Sequence, residues 1–524
     1  MSNELSKKIL WVDDEIELLR SQILFLEEKG YQVETATNGD DALEVLRSSA
    51  VDLILLDEQM PGKRGIEIVA DLKRVSPDVP VVMVTKSEEE DLMNQAIGRR
   101  VADYLVKPVN PNQVLLVCKR LLEGTKIRHQ HTAQDFVSRF RELEDRRSEQ
   151  FTWHDWAETY TELIMWESRL AEAGEEGLAG LLQGLKRQWR RDFSYHVTSH
   201  YLEWVSKGEG DKPILSVDVI REFLLPVINR YDSVLLIIVD CMRMDQWFQL
   251  APQITDLFDI ERKTYFSILP TATPYARNAI FSGLYPAEII DRFPGYWQVG
   301  SDDEGSLNLY ERELLDEQLK RLGVQLKSQL RYEKVFTKEE GQRLVKKIPS
   351  FLQGGVTALV FNFIDILTHG RSESDILLEI APNEQAYRDL ILSWFRHSNL
   401  YGVLQEAARH NVAVVLTSDH GSVHCTRPVT VYAKRDASTN LRYKFGDNIS
   451  SEGESTFLIQ DANRARLPYL GMNVHYIFAL EDYYFVYPTK LREYQSRYYG
   501  SFLHGGISPE EMILPVAVMT PKKV

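Results

Sequence analysis

Val234-Leu-Leu-Ile-Ile-Val-Asp240 is an unbroken apolar run ended by a carboxylate, and its reading decides the fold of the C-terminal half. A strand with one face in water alternates apolar with polar residues. A continuous run belongs to a strand covered on both faces, inside a sheet with parallel neighbours. Two more runs repeat the pattern, Ala358-Leu-Val-Phe-Asn-Phe-Ile-Asp365 and Val412-Ala-Val-Val-Leu-Thr-Ser-Asp-His420. In an open α/β sheet ligands bind beyond the carboxyl ends of the strands, which is where Asp240, Asp365 and the Asp419-His420 pair fall. His369 follows Asp365 closely enough to share an ion with it, and His504 lies near the C-terminus. Hard oxygen donors and imidazoles on one sheet edge can hold two divalent ions, a means of breaking phosphate esters without a covalent cofactor.

The chain has 524 residues, too many for one ordinary core, so several domains are expected. Its net charge of -16 argues against general affinity for nucleic-acid backbone or anionic membrane. Cys118, Cys241 and Cys425 are too scattered for a disulfide framework and suit a reducing compartment. The N-terminus lacks a signal-peptide apolar region, and no apolar run reaches the roughly 18 residues of a membrane span. A cytoplasmic protein without membrane insertion is expected.

Residues 1–124 alternate short apolar runs with amphipathic helices, the pattern of a doubly wound domain. KILWV, QVET, DLILL, VVMV and ADYLV are its five parallel strands. Ile16, Leu19, Ile23 and Leu26 form one helical stripe, stopped by Gly30. Asp13 and Asp14 follow the first strand, Asp57 the third, Thr85 the fourth and Lys107-Pro108 the fifth. Such a carboxylate cluster favours Mg²⁺. Asp57 can attack a phosphoryl donor while Lys107 neutralises the transferred group. Residues 125–210 read as a helical middle domain, with Trp153, Trp156, Trp166, Trp189 and Trp204 as core anchors. Lys207–Pro213 is a polar Gly/Pro linker, and residues 211–524 form a large α/β domain.

Residues 7 to about 123 closely resemble a response-regulator receiver domain, down to Asp57-x-x-Met60-Pro61-Gly62 and Tyr104-Leu-Val-Lys107-Pro108. The resemblance implies Mg²⁺ held by Asp14, Asp57 and the Gln59 carbonyl, with Asp13 close behind. It also implies a cis Lys107-Pro108 bond, a Thr85/Tyr104 switch, a sensor histidine kinase as partner and a phosphorylation-promoted homodimer.

In the C-terminal half, Leu269-Pro-Thr-Ala-Thr-Pro-Tyr-Ala-Arg-Asn-Ala-Ile-Phe-Ser-Gly-Leu-Tyr-Pro286 reads as a hydroxyl-rich turn, a helix and a Gly stop. A hydroxyl beside a helix N-terminus has the dipole end that favours its alkoxide and a bound phosphate. Together with Asp240, Asp365-x-x-x-His369, Ser418-Asp419-His420-Gly421 and His504-Gly505, this segment follows the order of the alkaline phosphatase superfamily. Arg277-Asn-Ala-Ile-Phe-Ser-Gly283 is more specifically similar to its PglZ domains. Receiver, helical middle and PglZ domain together resemble the PorX-like response regulators of the type IX secretion system of Bacteroidetes. The resemblance implies two zinc ions, one held by Asp365, His369 and His504, the other by Asp240, Asp419, His420 and a nucleophilic threonine.

PglZ-like spacing favours Thr271 as that nucleophile, and the Gly-Leu-Tyr-Pro trailer favours Thr273. If Pro274 opens the helix, Thr273 becomes its N-cap with its oxygen spent on backbone amides, which leaves Thr271 as the choice. Arg277 or Asn278 is expected to hold the phosphate. Superfamily members often carry Gly after the first Asp, where this chain has Cys241, so a tighter turn or a different backbone is expected. The function implied is a response regulator, phosphorylated on Asp57, whose effector is a zinc-dependent phosphodiesterase for nucleotides or short oligonucleotides. The alternative is a catalytically idle, metal-containing scaffold that binds a sigma factor or secretion component when phosphorylated. Direct DNA binding lacks a recognition helix or basic patch.

Overall fold

The computed structural model describes residues 7–86, 101–122, 124–145, 151–206, 212–297, 308–326, 328–434 and 438–522. Residues 207–211 of the predicted linker Lys207–Pro213 and the side chains of His129 and His131 lie outside the described residues. The chain divides into two compact units, Met1–Arg139 with Glu172–Glu175, and Phe140–Ala171 with Glu176–Val524.

The first unit is built on a parallel sheet of β1 (Lys8–Val12), β2 (Gln32–Ala36), β3 (Leu53–Asp57), β4 (Val81–Thr85) and β5 (Asp103–Val106), in the order β2-β1-β3-β4-β5. Alternate residues serve opposite faces of a strand. Leu10, Val12, Ile54 and Leu56 fill one core, while Ile9, Trp11, Leu53 and Leu55 fill the other. Burial on both sides is what makes these runs continuously apolar. The stripe expected as one helix from Ile16 opens instead as a 3-10 turn, Ile16–Leu19, before the helix Arg20–Glu28. Just before that turn the Asp13 carboxylate takes the Glu15 amide at 2.9 Å.

The second unit carries a six-stranded sheet: β6 (Ser233–Val239), β7 (Phe258–Phe266), β8 (Arg331–Val335), β9 (Gly355–Phe361), β10 (Ala413–Thr417) and β11 (Ile513–Pro521). Their order is β7-β11-β10-β6-β9-β8. The three runs read as buried strands occupy adjacent inner positions in parallel, with Ile238 paired to Thr417 on one side and to Val360 on the other. β11 enters antiparallel between β10 and β7. The carboxyl ends of β10, β6 and β9 therefore open on one edge.

Of the middle region, the helix Trp153–Glu172, as far as Ala171, and the helix Glu176–Ser206 belong to this same unit. Trp156, Trp166, Trp189 and Trp204 are buried, as the core reading requires; Trp153 is only half-buried and meets Phe266 edge-on at 6.4 Å. Trp156 packs edge-on to Trp189 at 5.3 Å and Phe193 at 5.5 Å, contacts worth roughly 0.5–1.5 kcal/mol each beyond area burial. Polar ties run from these helices to the loops of the sheet edge. Tyr201 Oη accepts the Leu269 amide at 2.8 Å, Ser194 Oγ donates to the Ile507 carbonyl at 3.2 Å, and Arg190 pairs with Glu510. No helix among the described residues is long and apolar enough to cross a membrane.

Candidate functional site

At the carboxyl edge of the first sheet, Asp13 follows β1, Asp57 ends β3, Thr85 ends β4 and Lys107 follows β5. Asp13, Asp14 and Asp57 bring carboxylate oxygens within 4.8 Å of one another. Asp13 and Asp57 are buried and Asp14 is exposed, so the cluster opens to solvent on one side. Lys107 Nζ lies 2.7 Å from Asp13 and 3.0 Å from Asp57. Burial lifts the Asp57 carboxyl against the pull of Lys107; burial opposes the Lys107 charge, and the two aspartates override it and hold the amine protonated. The Lys107-Pro108 bond is cis, as expected. Gln59 and Tyr104 are exposed. Gly65 is needed because an added Cβ would stand 2.2 Å from the Asp57 carbonyl.

At the edge of the second sheet the loops assemble two adjoining groups, Asp240 with Asp419 and His420, and Asp365 with His369 and His504. Asp240 follows β6 directly, and Asp419-His420 leaves β10. Asp365 and His369 stand on one face of the helix Phe363–Glu373, four residues apart. Within the second group, His369 Nε2 lies 3.1 Å from His504 Nε2 and 3.4 Å from Asp365 Oδ1. The His420 and His504 rings stack at 4.3 Å and join the groups.

The donor chemistry fits divalent ions. Burial, then the Asp240 carboxylate, push the Asp419 carboxyl up, and its Oδ2 accepts no hydrogen bond. Burial, then His420 and His369, hold His504 neutral, the form that ligates. Burial opposes charge on His420, but Asp419, Asp240 and Asp365 outweigh it and favour a cation there. Carboxylates this dense are costly to bury without compensating charge.

The two threonines separate cleanly. Thr271 Oγ1 donates to the Gly506 carbonyl at 2.8 Å and accepts the Gly505 amide at 3.1 Å. Thr273 Oγ1 lies 3.0 Å from His420 Nε2 and 3.4 Å from Asp240 Oδ1. Thr273 is not the N-cap that the position of Pro274 implies. The N-cap is Ala272, Thr273 is the first residue of the helix Thr273–Ser282, and its hydroxyl faces the acidic group instead of capping amides. Gly283, at φ 61°, ends this helix as read from sequence.

Arg277 also departs from expectation. Its Nη1 lies 2.7 Å from Asp240 and 3.6 Å from Asp419, and its Nε 2.7 Å from Glu311, so the guanidinium faces carboxylates rather than a phosphate. Asn278 is turned onto the Pro274 carbonyl at 2.9 Å. Cys241 keeps the backbone that glycine would adopt, at φ 64°, a conformation that costs a side-chain-bearing residue roughly 1–2 kcal/mol. Its amide donates to Asp419 Oδ1 at 3.3 Å. Gly421 matters for close approach and not for a positive φ, because a Cβ there would stand 2.0 Å from the Glu510 carbonyl. His196, His200 and His424 join no such group among the described residues.

Sequence reading missed the supports: Glu311 with Lys334 at 2.9 Å, Asn308, and the fully buried Arg442–Glu511 pair beneath Gly506. Only the four-residue step from Thr273 to Arg277 was a usable signal, since it places both on one helical face.

Three family models match the chain: the response regulator receiver domain over residues 9–119, the PorX response regulator linker domain over 126–205, and the BREX system PglZ alkaline phosphatase-like domain over 219–519. Among curated proteins, the transcriptional regulatory protein ResD of Bacillus subtilis is 40% identical over 115 residues, 22% of this chain and 48% of that protein. The phosphate regulon transcriptional regulatory protein PhoB of Pseudomonas aeruginosa is 37% identical over 121 residues, 23% of this chain and 53% of that one. The chain thus spans about half the length of these relatives. A CheY-like receiver domain structure from Methanospirillum hungatei is 29% identical over 23% of this chain and 96% of that one, with a TM-score of 0.22.

Proposed function

The chain belongs to the PglZ alkaline phosphatase-like family, with a receiver domain and a PorX linker domain ahead of that match, and on this premise we propose a response regulator, phosphorylated on Asp57, whose effector is a zinc-dependent phosphodiesterase. Its domains are 1–124, 125–210 and 211–524, and its substrates are nucleotides or short oligonucleotides. A sensor histidine kinase supplies the phosphoryl group, phosphorylation promotes a homodimer, and type IX secretion is the process governed; the linker match supports that last assignment. Cytoplasmic location follows from this role.

The observation that carries the reading is the meeting of Thr273 with Asp240 and His420, beside Asp365, His369 and His504. Zinc, bound by those two groups, would supply activation of the hydroxyl and charge stabilisation on the phosphoryl and leaving oxygens. Thr273 Oγ1 attacks phosphorus in line, the bond to the leaving oxygen breaks, and water then hydrolyses the phosphothreonine ester. The N-terminus of the helix Thr273–Ser282 favours the alkoxide and the phosphate at this point. In the receiver, Asp14, Asp57 and the Gln59 carbonyl would hold Mg²⁺, which would supply charge neutralisation for the phosphoryl group; an Asp57 carboxylate oxygen attacks phosphorus as the donor's leaving oxygen departs, and Lys107 holds the product charge.

The test uses full-length protein stripped of metal and restored with zinc, assayed on bis(p-nitrophenyl) phosphate, dinucleotides and short oligoribonucleotides, with and without acetyl phosphate and Mg²⁺. Diester cleavage is expected, with Thr273→Val slower by at least about 10³-fold at equal zinc content. Absence of turnover across the panel, or full activity in Thr273→Val, refutes the enzyme reading.

A further inference from the structure

Thr271, Thr273 and Arg277 lie on one seven-residue segment, and each side chain is spent differently. Thr271 is fully buried, and its hydroxyl bridges the amide of Gly505 and the carbonyl of Gly506. That bridge fixes the peptide immediately after His504. Gly506 is held from its other side by Glu511 Oε1, which accepts its amide at 2.9 Å. Thr271 therefore meets the Asp365/His369/His504 group only through the backbone that aims His504.

Arg277 serves the opposite group. It is 2% exposed and is gripped from behind by Glu311, which in turn takes Lys334 Nζ at 2.9 Å and Asn308 Nδ2 at 2.9 Å. With Nε on Glu311 and Nη1 on Asp240 and Asp419, the guanidinium cannot turn to a substrate without giving up its contacts with three carboxylates, of which Glu311 alone keeps Lys334 as a second cation. A planar fork can bind Glu311 and Asp240 together, whereas an ammonium is a single point of charge. Asp419 Oδ1 takes the amides of Cys241 and His420, so Asp419 Oδ2, which accepts no hydrogen bond, and Asp240 Oδ1, turned from Arg277 toward Thr273, are the oxygens left for an ion.

We propose that Thr271 and Arg277 are positioning residues for two different ions, Thr271 setting His504 for one and Arg277 setting Asp240 and Asp419 for the other, with the nucleophile Thr273 between them. This rests on the reading that the two groups bind zinc. Groups that orient metal ligands typically alter affinity about 10–100-fold when removed.

The experiment measures zinc affinity by competition with a chromophoric chelator and occupancy of each site by anomalous diffraction, on full-length protein. Wild type is expected to take up two zinc ions per chain. Arg277→Met and Arg277→Lys should each weaken only the Asp240/Asp419/His420 ion, by about 10–100-fold. Thr271→Val should weaken only the Asp365/His369/His504 ion, and Thr271→Ser should restore it. Equal weakening of both ions by either variant, or unchanged affinity in both, overturns the proposal. If Arg277→Met fails to fold, Arg277→Lys decides that half. Failure of wild type to bind zinc at either group would instead sink the metal reading beneath it.

Discussion

Replacing Arg190 with Met is expected to destabilise the second unit strongly, and to do so in a pH-dependent way. Arg190 reaches Glu510 through Nε at 3.1 Å and Nη2 at 2.5 Å, with both side chains about nine-tenths buried. Removing one partner of a buried pair leaves an uncompensated charge and costs roughly 3–5 kcal/mol. Lys186 remains as a second cation acting on Glu510, which places the loss near the lower end, about 3 kcal/mol at pH 8. In the wild type burial opposes ionisation of Glu510, yet Arg190 and then Lys186 hold its carboxyl below the ordinary value. Its contribution is therefore complete above the unfolded pKa, about 4.3, and is lost as pH falls through the folded value.

In Arg190→Met burial dominates and the folded carboxyl titrates higher than the unfolded one. The variant then gains stability as pH falls through that raised value toward about 4.3. The deficit should be largest at pH 8 and shrink by pH 5, and Glu510→Gln added to the variant should recover most of it at pH 8. Urea unfolding followed by tryptophan fluorescence reads this. A loss under about 1 kcal/mol at pH 8, or a deficit that grows in acid, refutes the reasoning.

Gly421→Ala should cost about 1–3 kcal/mol and reduce zinc retention, since its Cβ would overlap the Glu510 carbonyl; unchanged melting and metal content would show that the contact is slack. Zinc at roughly 1,000 times its dissociation constant should stabilise the protein by about 4 kcal/mol, and chelation should reverse the shift. A thermal transition indifferent to both would count against binding at these groups. Asp57→Asn should take up no phosphoryl group from acetyl phosphate with Mg²⁺ on a phosphate-affinity gel, while retention of labelling would move the acceptor elsewhere.

The placement of the carboxylates was legible because it depends on local pattern. An apolar run buried on both faces must stop at the sheet edge, so Asp57, Asp240 and Asp419 are delivered there by strand periodicity alone. Asp365 and His369 were readable as a pair, but only the structure puts them on a helix. The role of Arg277 was misread as phosphate binding because Glu311, Lys334 and Asn308, which hold it, are distant in sequence and carry no motif. Thr271 was preferred over Thr273 because one residue of helix register decides whether a hydroxyl caps a helix or leaves it free.

The receiver sheet, the buried parallel strands of the second unit and the two carboxylate-bearing edges follow from residues within one element or the turn beyond it, and so are written locally in the chain. Which threonine faces Asp240, what Arg277 binds, and the anchoring of the loops at Leu269, Ile507 and Glu510 by the middle helices depend instead on how distant elements pack. These contacts join residues far apart along the chain. Thr271 meets Gly506 across 235 residues and Arg190 meets Glu510 across 320, and only the packing of complete elements selects among partners that far apart.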